Sequence, residues 1–138
     1  MQSFRLMLES VRARPGMYLP RTTFDAGAAL VVGYDLACSG GALRGFREWL
    51  IPRIDDGNNL AWPALVLRQA FPATDAPDAK LVDAAAHLHA LDTMFSLLLD
   101  FEVICSGPRG LRRIFREYER WLGRQPWHQP GSPSWLED

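Results

Sequence analysis

A run of apolar side chains between residues 81 and 101 constrains this chain more than any other feature. Leu81, Ala84, Leu88, Leu91, Phe95 and Leu98 recur at steps of three and four, the repeat of one face of an α-helix. Met94, Leu97, Leu99 and Phe101 make the second half of the run apolar nearly all round. A helix without a polar face has to be surrounded by protein, so the pattern predicts a central helix with others packed about it. His87, His89, Asp92 and Asp100 interrupt the run. Charged groups at a bilayer centre are costly, so no membrane span is expected.

The rest of the chain supplies neighbours for that helix. Phe4, Leu8 and Val11 mark a short first helix that Pro15-Gly16 ends. Pro20 implies an extended connector, after which Thr22 or Thr23 caps a second helix with Asp25 in its first turn. Its apolar face runs through Phe24, Leu30, Val31, Tyr34 and Cys38, and "SGG" at 39–41 stops it. A third helix is expected over about 42–51, with Leu43, Phe46, Trp49 and Leu50 on one side and Pro52 just beyond. The segment 59–70 reads either as a helix with Pro63 in its first turn or as a strand through "ALVL". Helix is favoured, since proline is tolerated there and no partner strand is evident. A Pro/Asp-rich loop covers 72–79, and "SGPRG" at 106–110 breaks the chain before a sixth helix with Leu111, Phe115, Tyr118 and Leu122 on one stripe. These signals predict an all-α fold: a compact bundle of five to six helices in a single domain over 1–124, followed by a Pro- and Trp-containing tail over 125–138.

Composition agrees with a packed domain. The 138 residues are 48% hydrophobic, enough for a substantial core. A formal net charge of −1 gives no bulk electrostatic reason to expect nucleic acid as a partner. Fourteen arginines stand against a single lysine, Lys80. Cys38 and Cys105 lie in apolar surroundings and read as small buried hydrophobes rather than a disulfide. Arg5 and Glu9 break the N-terminal segment, so no secretory signal is expected and the expected location is cytoplasmic.

Chemical equipment is sparse. His87 and His89, two apart on a helix, diverge and do not share a metal through one face; ordinary contacts to Asp83 and Asp92 are expected instead. Asp100 and Glu102 diverge in the same way, and the turn at Asp55 and Asp56 explains its own residue types. "SGGALRG" lacks the lysine and hydroxyl residue of a phosphate loop and reads as a helix cap. The expectation is therefore no enzyme, no cofactor and no metal. In the sixth helix Arg109, Arg112, Arg113, Arg116, Arg120 and Arg124 oppose only Glu117 and Glu119. The plain reading is a solvated face partly self-paired through Arg113 and Glu117; the functional one is a surface for an acidic partner or nucleic acid. The stretch from Asp75 to Glu102 carries six acids and one lysine, so the fold is expected to have a basic and an acidic side.

An ordered set of weak motifs adds a resemblance. Arg14-Pro15-Gly16-Met17-Tyr18-Leu19 is followed by Gly33-Tyr34, then Phe46 with Trp49, then Trp62, then "MFSLLLDF" at 94–101. The first stretch is similar to the opening of type II topoisomerase ATPase domains, but the chain is too short for that domain and lacks its Asp-x-Gly-x-Gly nucleotide motif. Over residues 5–102 the chain resembles instead a group of small bacterial "RPGMYLG"-motif proteins similar to toxin immunity or antitoxin proteins, with Pro20 where the motif carries glycine. The resemblance implies an immunity protein that neutralises a cognate toxin or effector by occluding its active site. The alternative is a nucleic-acid-associated regulator using helix 109–124. Toxins acting on nucleic acids tend to have basic clefts, which makes Asp55, Asp56, Asn58, Asn59, Trp62, Asp100 and Glu102 the expected contacts, with Asp75 and Asp78 as an alternative acidic surface. The motif itself is expected to be architectural: Pro15 and Gly16 turn the chain, Met17, Tyr18 and Leu19 enter the core, Arg14 binds freed carbonyls, and Gly16→Val unfolds the domain.

Overall fold

The computed structural model describes residues 3–128. Among them are α1 (Phe4–Ala13), α2 (Pro15–Tyr18), α3 (Phe24–Ala37), α4 (Phe46–Ile54), α5 (Trp62–Ala70), α6 (Ala84–Ser106), α7 (Gly110–Gly123) and a 3-10 turn, Pro77–Lys80. No strand occurs among the described residues. The described residues are all-α as expected, with seven α-helices among them where five to six were anticipated. The extra one is α2: Pro15 sits at its first position, where a missing N–H costs nothing, and Leu19 N–H closes the turn onto the Pro15 carbonyl at 2.9 Å. Of the expected tail, residues 129–138 lie outside the described ones.

α6 is the axis of the bundle and touches α1, α3, α4, α5 and α7. Asp83 caps it by accepting the Ala86 N–H at 2.8 Å. Its buried stripe is Ala90, Leu91, Met94, Phe95, Leu97, Leu98 and Phe101. Leu81 precedes the cap and Leu88 is half exposed, so the buried stripe of α6 begins only at Ala90. No helix among the described residues is long and apolar enough to cross a membrane.

On one side α1 lays Met7, Leu8 and Val11 against α6, and Arg12 reaches across to Asp92 at 2.6 Å and Ser96 at 2.9 Å. α3 crosses α6 at Gly27, where a Cβ atom would come within 2.4 Å of Leu91 Cδ2. The histidines serve these joints rather than Asp83 and Asp92. His87 Nδ1 accepts the first N–H of α3, from Phe24, at 3.0 Å, and His89 Nε2 lies 2.8 Å from the Ala70 carbonyl that ends α5. A carbonyl only accepts, so that ring nitrogen carries its proton.

On the other side lie α4, α5 and α7. Gly45, at φ +89°, turns the chain into α4, so the helix starts at Phe46 rather than at 42. It also runs through Pro52 to Ile54, because only one hydrogen bond of the last turn is lost to the ring. The segment 62–70 is a helix with Pro63 in its first turn, as favoured above. Phe46 is the centre of the core here, edge-on to Phe101 (5.2 Å) and Trp62 (5.6 Å) and stacked on Trp49 (6.1 Å). α7 faces α4 with Ile114, Tyr118 and Trp121; Leu111, Phe115 and Leu122 flank that stripe and are only half buried.

The "RPGMYLP" motif departs from its expected role. Met17 and Tyr18 are largely exposed, and only Leu19 enters the core. Once the segment coils into α2, its side chains radiate outward and only the residue after the turn points in. Gly16 has no neighbour within 4 Å of a would-be Cβ, and the Arg14 guanidinium lies 3.9 Å from the Met17 sulfur, not on a carbonyl. The two cysteines are free and half buried rather than in the core. Burial, and secondarily the Glu102 carboxylate, pushes the Cys105 thiol up to about 11. The Tyr34 hydroxyl is also raised, by burial first and by its neighbour Cys38 second.

Candidate partner-binding groove

The turn at 55–60 contains most of the residues expected at a binding rim, and the fold uses nearly all of them internally. Asp55 ends α4 at φ +61°, and its carboxylate accepts the Trp121 indole N–H at 2.7 Å. Asp56 accepts the Gly57 N–H at 2.7 Å and pairs with Arg68 at 3.0 Å. Asn58 accepts the Tyr118 hydroxyl proton at 2.5 Å, while Arg47 donates to the carbonyls of Asn58 and Leu60. Gly57 holds φ +85° with Leu65 packed against it. The turn is thereby pinned to α4, α5 and α7; Asp55, Asp56 and Asn59 are still exposed, and of these Asp55 and Asp56 are held by bonds within the fold. Trp62 is half buried on Phe46. Glu102 lies elsewhere, between Arg5 (3.3 Å) and the Ser106 hydroxyl (2.9 Å). Asp100 stands exposed on α6, and Asp75 and Asp78 are exposed at the loop of the 3-10 turn. The expected contacts thus occupy three separate places.

A different feature lies between α3 and α7. α3 and α7 form the two walls of a groove of about 760 Å³, with the start of α4 and Trp62 between them. Val32 and Leu36 project from α3, one turn apart, and Leu111 and Phe115 from α7. Leu36 is 72% exposed, so this wall is apolar and wet. The connector 39–45 shapes the floor: Asp35 accepts the Leu43 N–H at 2.8 Å, folding the chain back over the end of α3. At Gly45 a Cβ would meet Leu111 at 2.9 Å, so glycine lets the beginnings of α4 and α7 approach closely. Arg44, Glu48 and Arg112 stand among the apolar residues.

Arg112 also belongs to an adjoining hollow of about 330 Å³, lined with Pro108, Arg109, Arg113 and Arg116. The first turn of α7 has no acidic residue. Ion pairs of the described residues include Arg5–Glu9, Arg5–Glu102, Arg12–Asp92 and Arg68–Asp56, and the expected Arg113–Glu117 pair does not form. Among the described residues, no three His, Cys, Asp or Glu side chains come together as a metal site.

No family model, curated protein or solved structure matches this chain.

The apolar wall was missed in the sequence because the second helix was read for one face only. Its span, Phe24–Ala37, carries only Asp25 and Asp35 as charges. That is more apolar surface than a helix packed mainly on α6 can cover, and the excess is the wall.

Proposed function

We propose that this chain is a binding protein of the immunity type, which neutralises a partner protein by gripping it in the groove between α3 and α7. The observation that carries the reading is the pair Val32 and Leu36, left in solvent opposite Leu111 and Phe115 with Trp62 between. Apolar patches of this kind, rimmed by polar groups, are characteristic of protein docking sites. Trp and Arg are the side chains most enriched among residues that dominate binding energy, and both stand in the groove. The ordered motifs from Arg14 to Phe101 point to the same class of protein. Its partner is then a toxin or effector domain, held without any reaction.

Co-expression with the product of the adjacent reading frame tests this. The expected outcome is rescue of growth and a complex that co-elutes on a sizing column. Leu36→Asp places a charge in the groove without touching the core. It is expected to weaken the complex about thirtyfold or more, ~2 kcal/mol, while leaving the unfolding midpoint unchanged. No rescue and no complex would defeat the reading.

A further inference from the structure

We infer that the groove and the adjoining arginine hollow are one continuous site, and that its occupant is a segment of a partner protein with large apolar side chains followed by clustered Asp and Glu. The inference rests on the partner-binding reading and adds the chemistry of what is bound. Continuity comes from Arg112, which lines both cavities. Beyond it, Arg113, Arg116 and Arg120 sit at helical spacings on the outer face of α7, with Arg109 just before the helix and Arg124 just after it. From Arg109 to Arg124 this stripe is about 22 Å long at the rise of an α-helix. Arg109, Arg113, Arg116, Arg120 and Arg124 make no ion pair or side-chain hydrogen bond among the described residues.

Guanidinium groups left unpaired beside an apolar groove offer bidentate sites for carboxylates. A nucleic acid backbone would satisfy the arginines and leave Val32, Leu36, Leu111 and Phe115 wet. An acidic, apolar peptide satisfies both halves at once. The charge is opposite to that of a basic cleft covered by an acidic rim: the carboxylates of Asp55 and Asp56 are already bonded within the fold, Asp75, Asp78 and Asp100 lie outside the groove and hollow, and the hollow beside the groove is lined by arginines.

Selection of a phage-displayed random peptide library on the full chain provides the test, with two surface variants as counter-targets. Leu36→Asp alters the apolar half. The double variant Arg113→Glu/Arg116→Glu alters the basic half at two exposed positions, and its thermal melt, read alongside binding, separates lost binding from unfolding. Enriched peptides are expected to carry Leu, Phe or Trp next to Asp or Glu. Their affinity is expected to fall at least about tenfold against either variant and to weaken with salt. Enriched peptides with neutral or basic flanks, or peptides indifferent to the arginine reversal, would overturn the inference; so would a duplex oligonucleotide that binds in an arginine-dependent, Leu36-independent way, or no enrichment at all. Sensitivity to Leu36→Asp alone would sink the acidic chemistry and leave the groove reading standing, whereas growth rescue with a complex indifferent to both variants would sink the groove and leave neutralisation standing.

Discussion

Cys105 and Asp55 show how single side chains are held by their surroundings. Cys105 lines a small cavity with Phe4, Phe101 and Glu102, and the shift of its thiol to about 11 from a starting value of 9.0 means that the folded state keeps the proton while the unfolded chain releases it. Where the folded chain binds more protons, stability falls as pH rises. The contribution is present in full below pH 9.0 and is lost progressively up to about 11. Urea denaturation across that window is expected to show a decline that Cys105→Ala flattens, and a decline of equal size in the variant would refute the assignment. Tyr34, raised in the same direction, adds to the slope in both proteins. Asp55 is simpler. Trp121 is 2% exposed and its indole N–H has the Asp55 carboxylate as acceptor. Asp55→Ala leaves that donor buried and unpaired, for about 1–3 kcal/mol. Asp55→Asn keeps an acceptor and a residue type that tolerates positive φ, so its denaturation midpoint should fall much closer to that of the parent protein.

At the scale of elements, glycines with opposite roles make a paired prediction. Gly110 begins α7 directly beneath the end of α6, and a Cβ there would meet the Ile104 carbonyl at 2.3 Å and the Cys105 backbone at 2.8 Å. Backbone cannot step aside as a side chain does, so Gly110→Ala is expected to cost about 1–3 kcal/mol by calorimetry or denaturant melts. Gly16, in the most conspicuous motif of the sequence, faces open space. Gly16→Ala should change stability by no more than about 0.5 kcal/mol, against the expectation that a bulky residue there unfolds the domain. The helices themselves were legible where a cap and a period coincide: Thr23 before Phe24, and the three-and-four repeat of α6. Pro63 was read correctly as a first-turn residue. Boundaries slipped where a proline or glycine acts by conformation that residue type alone does not fix, as at Gly45, Pro52 and Pro15.

For the whole molecule, the central helix and its ring of neighbours were written in the apolar spacing, whereas the site was not. Helical period says which face is apolar but not how much of it a neighbour will cover, so the exposed wall of α3 emerged only with the packing. Charge followed the same rule. The Asp and Asn residues of 55–59 looked like a free rim because partners sixty or more positions away, Tyr118 and Trp121, are invisible to local reading. Those long-range bonds have a mechanical side. They clamp the last helix to the turn after α4, so one jaw of the groove is fixed to the body of the protein. The opposing jaw, α3, is tethered near its two ends, at Phe24 by His87 and through Asp35 to Leu43, with Gly27 seated on α6 between them. On the proposed reading, a bound segment therefore meets two walls that are each anchored to the rest of the protein, α7 through the turn after α4 and α3 through its ends.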